Sequence, residues 1–368
     1  MKASRSPFPI LPKLRFNIQP SCTATAASVI PSPPPTFNFK KEILDISTAA
    51  IAQSHPQLLD LAQNGTLVLL TKTQYGPVPP WRSDFVEPHG IWIIGTTHVS
   101  QESASHVERV IRAVKPENVV VELCRSRAGI MYIPENGDQN QQLRSSMFSL
   151  SGTGFFGAIG RSINLGGQTA LALRLLLATF SSKVSSDINR PFGDEFRAAR
   201  KVAEEIGAQL VLGDRPIEIT LERAWCSLKW KEKLSLVSTI IRGMTSSVKP
   251  LEEPIGGDSS FELYEQLSLS YPSLLPPLIH ERDTFLAWSL KRSKAVNKSE
   301  NVVGVIGKGH MNGVIYSLVS DTGNLRFKDL AGKRDGGGWA ASIARDLFRD
   351  TLIGLVLWLI YDHFKSGF

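Results

Sequence analysis

Short apolar runs alternate with amphipathic stretches along most of this chain. Four runs have the length and apolar content of buried strands: residues 91–94, Asn118–Val121, Gln209–Leu212 and Asn301–Gly307. A fifth candidate strand, residues 66–71, precedes them in the chain. Between the runs, apolar residues recur every three or four positions, as at Val107, Ile111 and Val114. Strand, helix and strand in alternation predict an α/β fold, with a mostly parallel central sheet flanked by helices.

Two of these strands are followed by the same short motif. Gly95 leads to His98, and Gly307 leads to His310, each with the spacing G-x-x-H. One such motif is a weak signal, but two in the same structural context point to a shared role. In open α/β sheets, ligands bind outside the carboxyl ends of the strands. We therefore expect two G-x-x-H turns at strand ends, with both histidines on one rim.

Charged residues follow the other two predicted parallel strands. Glu122 comes directly after three valines, and Asp214 and Arg215 follow the strand Gln209–Leu212. A carboxylate that close to a buried strand needs a partner. Arg125, Arg127 or Arg215 could form a purely structural ion pair with Glu122, or Glu122 could join the histidines in a functional site.

The net charge of +7 is concentrated at the beginning of the chain of 368 residues. Residues 1–41 contain six Lys or Arg and no acidic residue, and are rich in Ser, Thr and Pro. This composition is typical of an organelle transit peptide, for a plastid rather than a mitochondrion, or of a disordered tail. The remainder is nearly neutral, which argues against a nucleic-acid partner. Three cysteines without a C-x-x-C motif argue against a disulfide framework.

Composition also suggests the domain boundaries. We expect an N-terminal helix and strand extension over 42–84, the main domain over 85–335, and an apolar tail over 336–368. Residues 352–361 are ten unbroken apolar residues, whereas a membrane span needs roughly 20. The tail therefore has three interpretations: a membrane anchor, an interfacial helix or a packing helix. Single helices are predicted over 42–63 and 216–242, and Asp194 is predicted to cap a helix that ends near Ile206.

Six separated segments, in order, resemble the TraB/PrgY/GumN family: GTTHVS, VVVELCRSR, GDEF, LGDRPIEITLERAW, ERD and VIGKGH. The resemblance covers roughly residues 85–318. It implies that the two G-x-x-H motifs and Glu122 are the family's histidines and glutamate. Glu195 also falls on a family motif, as a catalytic candidate beside Glu122. Further residues on family motifs, with a substrate-binding or structural role, are Gly95, Gly307, Asp214, Arg215 and Arg282. One animal branch of the family is described as metal-dependent proteases, and some eukaryotic members as organelle-contact proteins with C-terminal membrane tails.

Two classes of function follow from these residues. His98, His310 and Glu122 could hold Mn²⁺, Zn²⁺ or Fe²⁺, with Glu122 or Glu195 as general base, in a hydrolase that acts on peptides. Alternatively, the chain is a non-enzymatic, membrane-associated regulatory or contact protein that binds a peptide or protein ligand. In that case His98 need only bond to backbone, and Arg282 need only form an ion pair at a helix start.

Overall fold

The structure is a computed structural model that describes residues 31–78, 82–97, 101–132, 193–245 and 270–323, with Phe327 and Leu330. Five strands form one sheet in this part of the chain: β1 Leu67–Thr71, β2 Gly90–Thr96, β3 Asn118–Val121, β4 Gln209–Leu212 and β5 Asn301–Gly307. These are the strands that the apolar runs predict.

The strands are arranged in the order β1-β2-β5-β3-β4. The last four run parallel, and β1 pairs antiparallel with β2. The predicted α/β class with a mostly parallel sheet is thus confirmed. In register, Thr96 pairs with Gly307, and Val121 pairs with both Val305 and Leu212. The carboxyl ends of the four parallel strands therefore lie along one edge, which we call the carboxyl edge.

Nine α-helices surround the sheet in the described residues: α1 Phe39–Glu42, α2 Leu44–Ser54, α3 Leu59–Gln63, α4 Gln101–Val114, α5 Asp194–Ile206, α6 Ile217–Ser227, α7 Trp230–Thr245, α8 Glu281–Arg292 and α9 Lys308–Val319. Short 3-10 or π turns accompany them at Pro56–Leu58, Ala128–Tyr132, Pro272–Leu274, Pro276–His280 and Lys294–Val296.

The alternation of side chains along each strand creates two apolar layers. Val119 and Val121 face a layer formed with α2 to α5, whereas Val120 faces a layer formed with α8 and α9. All three valines are completely buried, and burial of a side chain of this size contributes about 1.5–3 kcal/mol. The sheet is therefore covered on both faces, as expected for parallel strands.

Three local predictions are wrong. The helix predicted over 42–63 is broken at His55 (φ −140°), because the residue before Pro56 disfavours the α conformation. The helix predicted over 216–242 is two helices, separated by the extended residue Leu228 (ψ 135°). Gly193, not Asp194, occupies the cap position of α5 with a left-handed φ of 94°, and Asp194 is the first helical residue.

A buried group of four charged residues joins the segment before β2 to α8. Arg292 donates from Nε to Glu87 Oε1 (3.0 Å) and lies 2.7 Å from Asp321 Oδ2 through Nη1. Lys291 Nζ lies 3.2 Å from the same Asp321 oxygen. Two acids and two bases balance each other here, so the group fastens secondary structure without excess charge.

In the described residues, no helix is long and apolar enough to cross a membrane. Several predicted features lie outside the described residues: most of the predicted transit segment (1–30), His98 and the C-terminal tail.

Candidate functional site

Glu122 lies at the centre of the carboxyl edge. Its backbone N–H donates to Val305 O (3.1 Å), which continues the pairing of β3 with β5 for one more residue. Its side chain accepts from the backbone N–H of Gly307 (2.8 Å), at the end of β5. Glu122 is 5% exposed. The two neighbouring strands therefore fix both the backbone and one carboxylate oxygen of this residue.

Arg282, the second residue of α8, bridges two carboxylates at this edge. It donates from Nη2 to Glu122 Oε1 (2.6 Å) and binds Asp214 with both Nε (3.1 Å) and Nη2 (2.9 Å). Burial opposes the charged guanidinium, but the carboxylates of Asp214 and Glu122 outweigh it and raise the pKa of Arg282. Among the described residues, the guanidinium that pairs with the Glu122 side chain is thus that of Arg282, and not one of the three arginines suggested by the sequence.

His310 lies in the first turn of α9, just after β5. Its Nε2 is 3.3 Å from Glu122 Oε1, and its Nδ1 is 2.6 Å from Asp283 Oδ1. Burial alone would lower the pKa of His310, but the charges of Glu122 and Asp283 raise it. The imidazole is therefore held between two carboxylates, one at each ring nitrogen.

Arg127 completes this group of charges. Its Nη2 forms an ion pair with Asp214 and donates to the backbone carbonyl of Glu122 (3.3 Å). The cluster of six residues, which we call the edge cluster, consists of Glu122, Arg127, Asp214, Arg282, Asp283 and His310. Three carboxylates face two guanidiniums in it, so one negative charge remains for His310 or a bound cation to balance.

A second ionic group adjoins the edge cluster. Arg215 donates from Nη2 to Pro277 O (2.6 Å) and from Nε to Thr220 Oγ1 (3.0 Å). Both Arg215 and Arg223 bind the carboxylate of Glu281. Burial alone would raise the pKa of Glu281, but these guanidiniums lower it. Arg215 thus fastens α6 to α8, and its described contacts are structural.

Comparison with known proteins identifies the family of this chain. Residues 81–319 match the model of the TraB/PrgY/gumN family. The chain belongs to the TraB/PrgY/gumN family. It is 27% identical over 254 residues to the TraB domain-containing proteins of Mus musculus and of Homo sapiens, a match that covers 63% of this chain and 63% of each relative. An uncharacterized protein of Methanocaldococcus jannaschii is 27% identical over 234 residues, or 62% of this chain and 53% of that protein.

The family resemblance seen in the motifs is therefore confirmed, and the whole edge cluster lies within the matched residues. The matches span less than two thirds of the length of these relatives. The family assignment therefore applies to the TraB domain, and the activity of the chain is a separate question.

The structure brings together three of the predicted site residues of this TraB domain around Arg282: Glu122, Asp214 and His310. Glu195 lies in the first turn of α5, completely buried. Gly95 has a packing role, because a Cβ there would lie 2.2 Å from Met311 Sδ on α9. Gly307 donates to Glu122 as described above.

Asp283 is the member of the edge cluster that the sequence interpretation missed. It is 2% exposed and bonded to His310, yet it follows no strand and stands in a charged run, Glu281-Arg282-Asp283, that is typical of a solvated helix start. The available signal was the proximity of Asp283 to Arg282 within the ERD segment.

The donor types of the edge cluster fit a divalent metal ion. Two ligands bound at about 2.0 Å in tetrahedral geometry are separated by about 3.3 Å, and His310 Nε2 and Glu122 Oε1 are 3.3 Å apart. Among the residues with described positions, no group of three His, Cys, Asp or Glu side chains is arranged to hold a metal. The third predicted ligand, His98, lies outside those residues.

Proposed function

We propose that this TraB-family chain is a metal-dependent hydrolase that acts on peptides, with Mn²⁺, Zn²⁺ or Fe²⁺ held by His310, Glu122 and His98. The observation that carries the proposal is the pair His310 Nε2 and Glu122 Oε1, 3.3 Å apart at the carboxyl ends of parallel strands. Two imidazoles and a carboxylate form a recurrent ligand set for these ions.

The surroundings of the two described ligands support this assignment. The Nδ1 of His310 bonds to Asp283, which is the usual arrangement for a histidine whose other nitrogen binds a metal. Glu122 Oε1 already accepts from Arg282, but a carboxylate oxygen has a second lone pair. The excess negative charge of the edge cluster also favours a cation.

The side chains have separate roles in this proposal. A bound divalent ion would polarise the scissile carbonyl as a Lewis acid. Both oxygens of Glu122 accept hydrogen bonds, from Arg282 and from Gly307. Glu122 would therefore hold the metal ion in position and balance part of its charge. Glu195 is the proposed base that takes the proton from the attacking water. Glu195 is the second residue of α5, the helix that precedes β4. The start of this helix therefore belongs to the carboxyl edge.

Metal content of the full-length protein tests the proposal. We expect about one equivalent of Mn, Zn or Fe by elemental analysis, and its loss in His310→Ala and Glu122→Gln. Matched controls are His89→Ala and Glu117→Gln, which precede β2 and β3 at the opposite edge. Retention of metal in both site variants, or absence of metal from folded wild type after reconstitution, would refute the metal site.

Hydrolysis is tested separately with a pool of internally quenched peptides. Metal-loaded wild type and the two control variants should cleave a subset of the pool, and Glu195→Gln should bind metal but lose cleavage. The alternative function is a non-enzymatic, membrane-associated regulatory or contact protein. It predicts no cleavage in any variant, and peptide or protein binding that survives His310→Ala.

The location of the chain is also a proposal. We infer delivery to a plastid by residues 1–41, which carry basic residues and no acidic ones, and membrane association through the tail 336–368. A fluorescent fusion of residues 1–41 tests the first statement, with import into mitochondria as the contrary result. Carbonate extraction of the full chain and of a tail deletion tests the second.

A further inference from the structure

Asp283 occupies a confined position between α8 and α9. Its Oδ1 is 2.6 Å from Nδ1 of His310, in the first turn of α9. One turn later α9 has Gly313, where a Cβ would lie 1.9 Å from Asp283 Oδ2 and 2.6 Å from its Cγ. The carboxylate therefore fills the space in which any other residue at 313 would place its side chain.

Backbone conformation does not explain this glycine. Gly313 lies inside α9 and is absent from the positive-φ glycines of the described residues, and glycine is a poor helix former. The space that the Asp283 carboxylate occupies accounts for it. Two residues 30 positions apart thus serve one purpose, the placement of a carboxylate against a single ring nitrogen.

We infer that Asp283 is a positioning residue, accommodated by Gly313, that fixes the ring of His310 with Nδ1–H donating to Asp283 and Nε2 directed at Glu122. Asp283 at Nδ1 favours this tautomer, because an ionised carboxylate can only accept. Arg282 favours it too, because its Nη1 lies 3.3 Å from Nε2 and a guanidinium can only donate. Glu122 also faces Nε2, but at 3.3 Å, whereas Asp283 is 2.6 Å from Nδ1. The competing interpretation is an ion pair that merely joins α8 to α9. The expected effect of Asp283 on metal binding rests on the proposed function. The tautomer of His310 does not depend on it.

The tautomer of His310 distinguishes positioning from a structural ion pair. In the full chain labelled with ¹⁵N-histidine and recorded at a pH where the ring is neutral, we expect His310 as the Nδ1–H form, with His310→Ala identifying its signals. Asp283→Asn keeps the shape but offers an amide that can donate to Nδ1, so the Nε2–H form should appear. Glu102→Gln, which removes a carboxylate 3.6 Å from the ring of His106, should leave the His310 signals unchanged. An unchanged tautomer in Asp283→Asn would overturn the inference.

A double-mutant cycle tests the role of Gly313. Gly313→Ala alone overpacks the site and should lower the Tm by about 2–10 °C. Asp283→Ala removes the obstructing carboxylate, so Gly313→Ala should be much less harmful in that background. Equal effects of Gly313→Ala in both backgrounds would show that Gly313 does not make room for Asp283.

Metal affinity links the inference to the proposed function. Loss of such a supporting carboxylate weakens metal binding by about 10- to 100-fold, and we expect this for Zn²⁺ in both Asp283→Asn and Gly313→Ala. If wild type binds no metal, the proposed function fails while the tautomer result still decides the role of Asp283. If wild type binds Zn²⁺ and both variants bind it equally well, the positioning role fails alone.

Discussion

Replacement of Arg282 by alanine should lower the free energy of unfolding by more than the loss of a surface ion pair does. The variant leaves two buried carboxylates, Glu122 and Asp214, without their shared guanidinium. Removal of one partner from a buried ion pair costs about 3–5 kcal/mol. Here Glu122 keeps the N–H of Gly307 and Asp214 keeps Arg127. We therefore expect a loss at the lower end of this range, about 3 kcal/mol.

Urea unfolding followed by circular dichroism and tryptophan fluorescence measures this loss. With a slope of about 3 kcal/mol/M, the midpoint should fall by about 1 M. The control is Arg109→Ala, because Arg109 also binds a carboxylate through two nitrogens, Asp60 at 2.6 and 2.7 Å, but both side chains are exposed. That pair should contribute less than about 1 kcal/mol. Equal losses in the two variants would refute the view that the edge cluster is desolvated.

Three further variants test neighbouring parts of the structure. Bound guanidiniums lower the pKa of Glu281 in the fold, so Glu281→Gln should lose its full share of stability relative to wild type above the unfolded-state pKa of about 4.3. The difference should shrink below that pH and disappear as the pH falls through the lowered folded-state pKa; parallel pH profiles in urea unfolding would contradict this. Glu87→Gln removes a buried counter-charge of Arg292 and should cost about 3 kcal/mol, whereas a loss below about 1 kcal/mol by the same assay would mean that water reaches the group. Gly95→Ala should cost about 1–3 kcal/mol by overpacking against the methionine on α9, and Met311→Ala in the same chain should reduce this cost in thermal melts, unless Gly95 has another role.

The strands and their shared edge were predictable because their signals are local. Each strand is a short apolar run, and charged or polar residues follow the parallel strands within a few positions, as Glu122 follows Val121. Parallel alignment then brings those residues together without knowledge of any contact. The direction of β1 was not predictable in this way, because burial on both faces gives the same apolar run in either orientation.

The partners within the edge cluster were not predictable from local signals. The sequence interpretation sought a partner for Glu122 among Arg125, Arg127 and Arg215, yet the guanidinium comes from Arg282, 160 residues further along the chain. The composition of the ERD segment gave no help, since charged residues at a helix start are ordinary on a solvated surface. Only the packing of α8 against the sheet buries Arg282 and Asp283.

The chain topology explains why the charged side chains converge. A helix that connects two parallel strands runs back across the sheet, so its first turn lies at the carboxyl edge. This applies to α5 before β4 and to α8 before β5, while α9 begins directly after β5. Residues in these first turns, such as Glu195, Asp283 and His310, therefore belong to the same edge as Glu122, which follows a strand. A search of such sheets for site residues should thus include the first turn of every crossover helix, where charged residues resemble a solvated helix start in sequence but become buried in the fold.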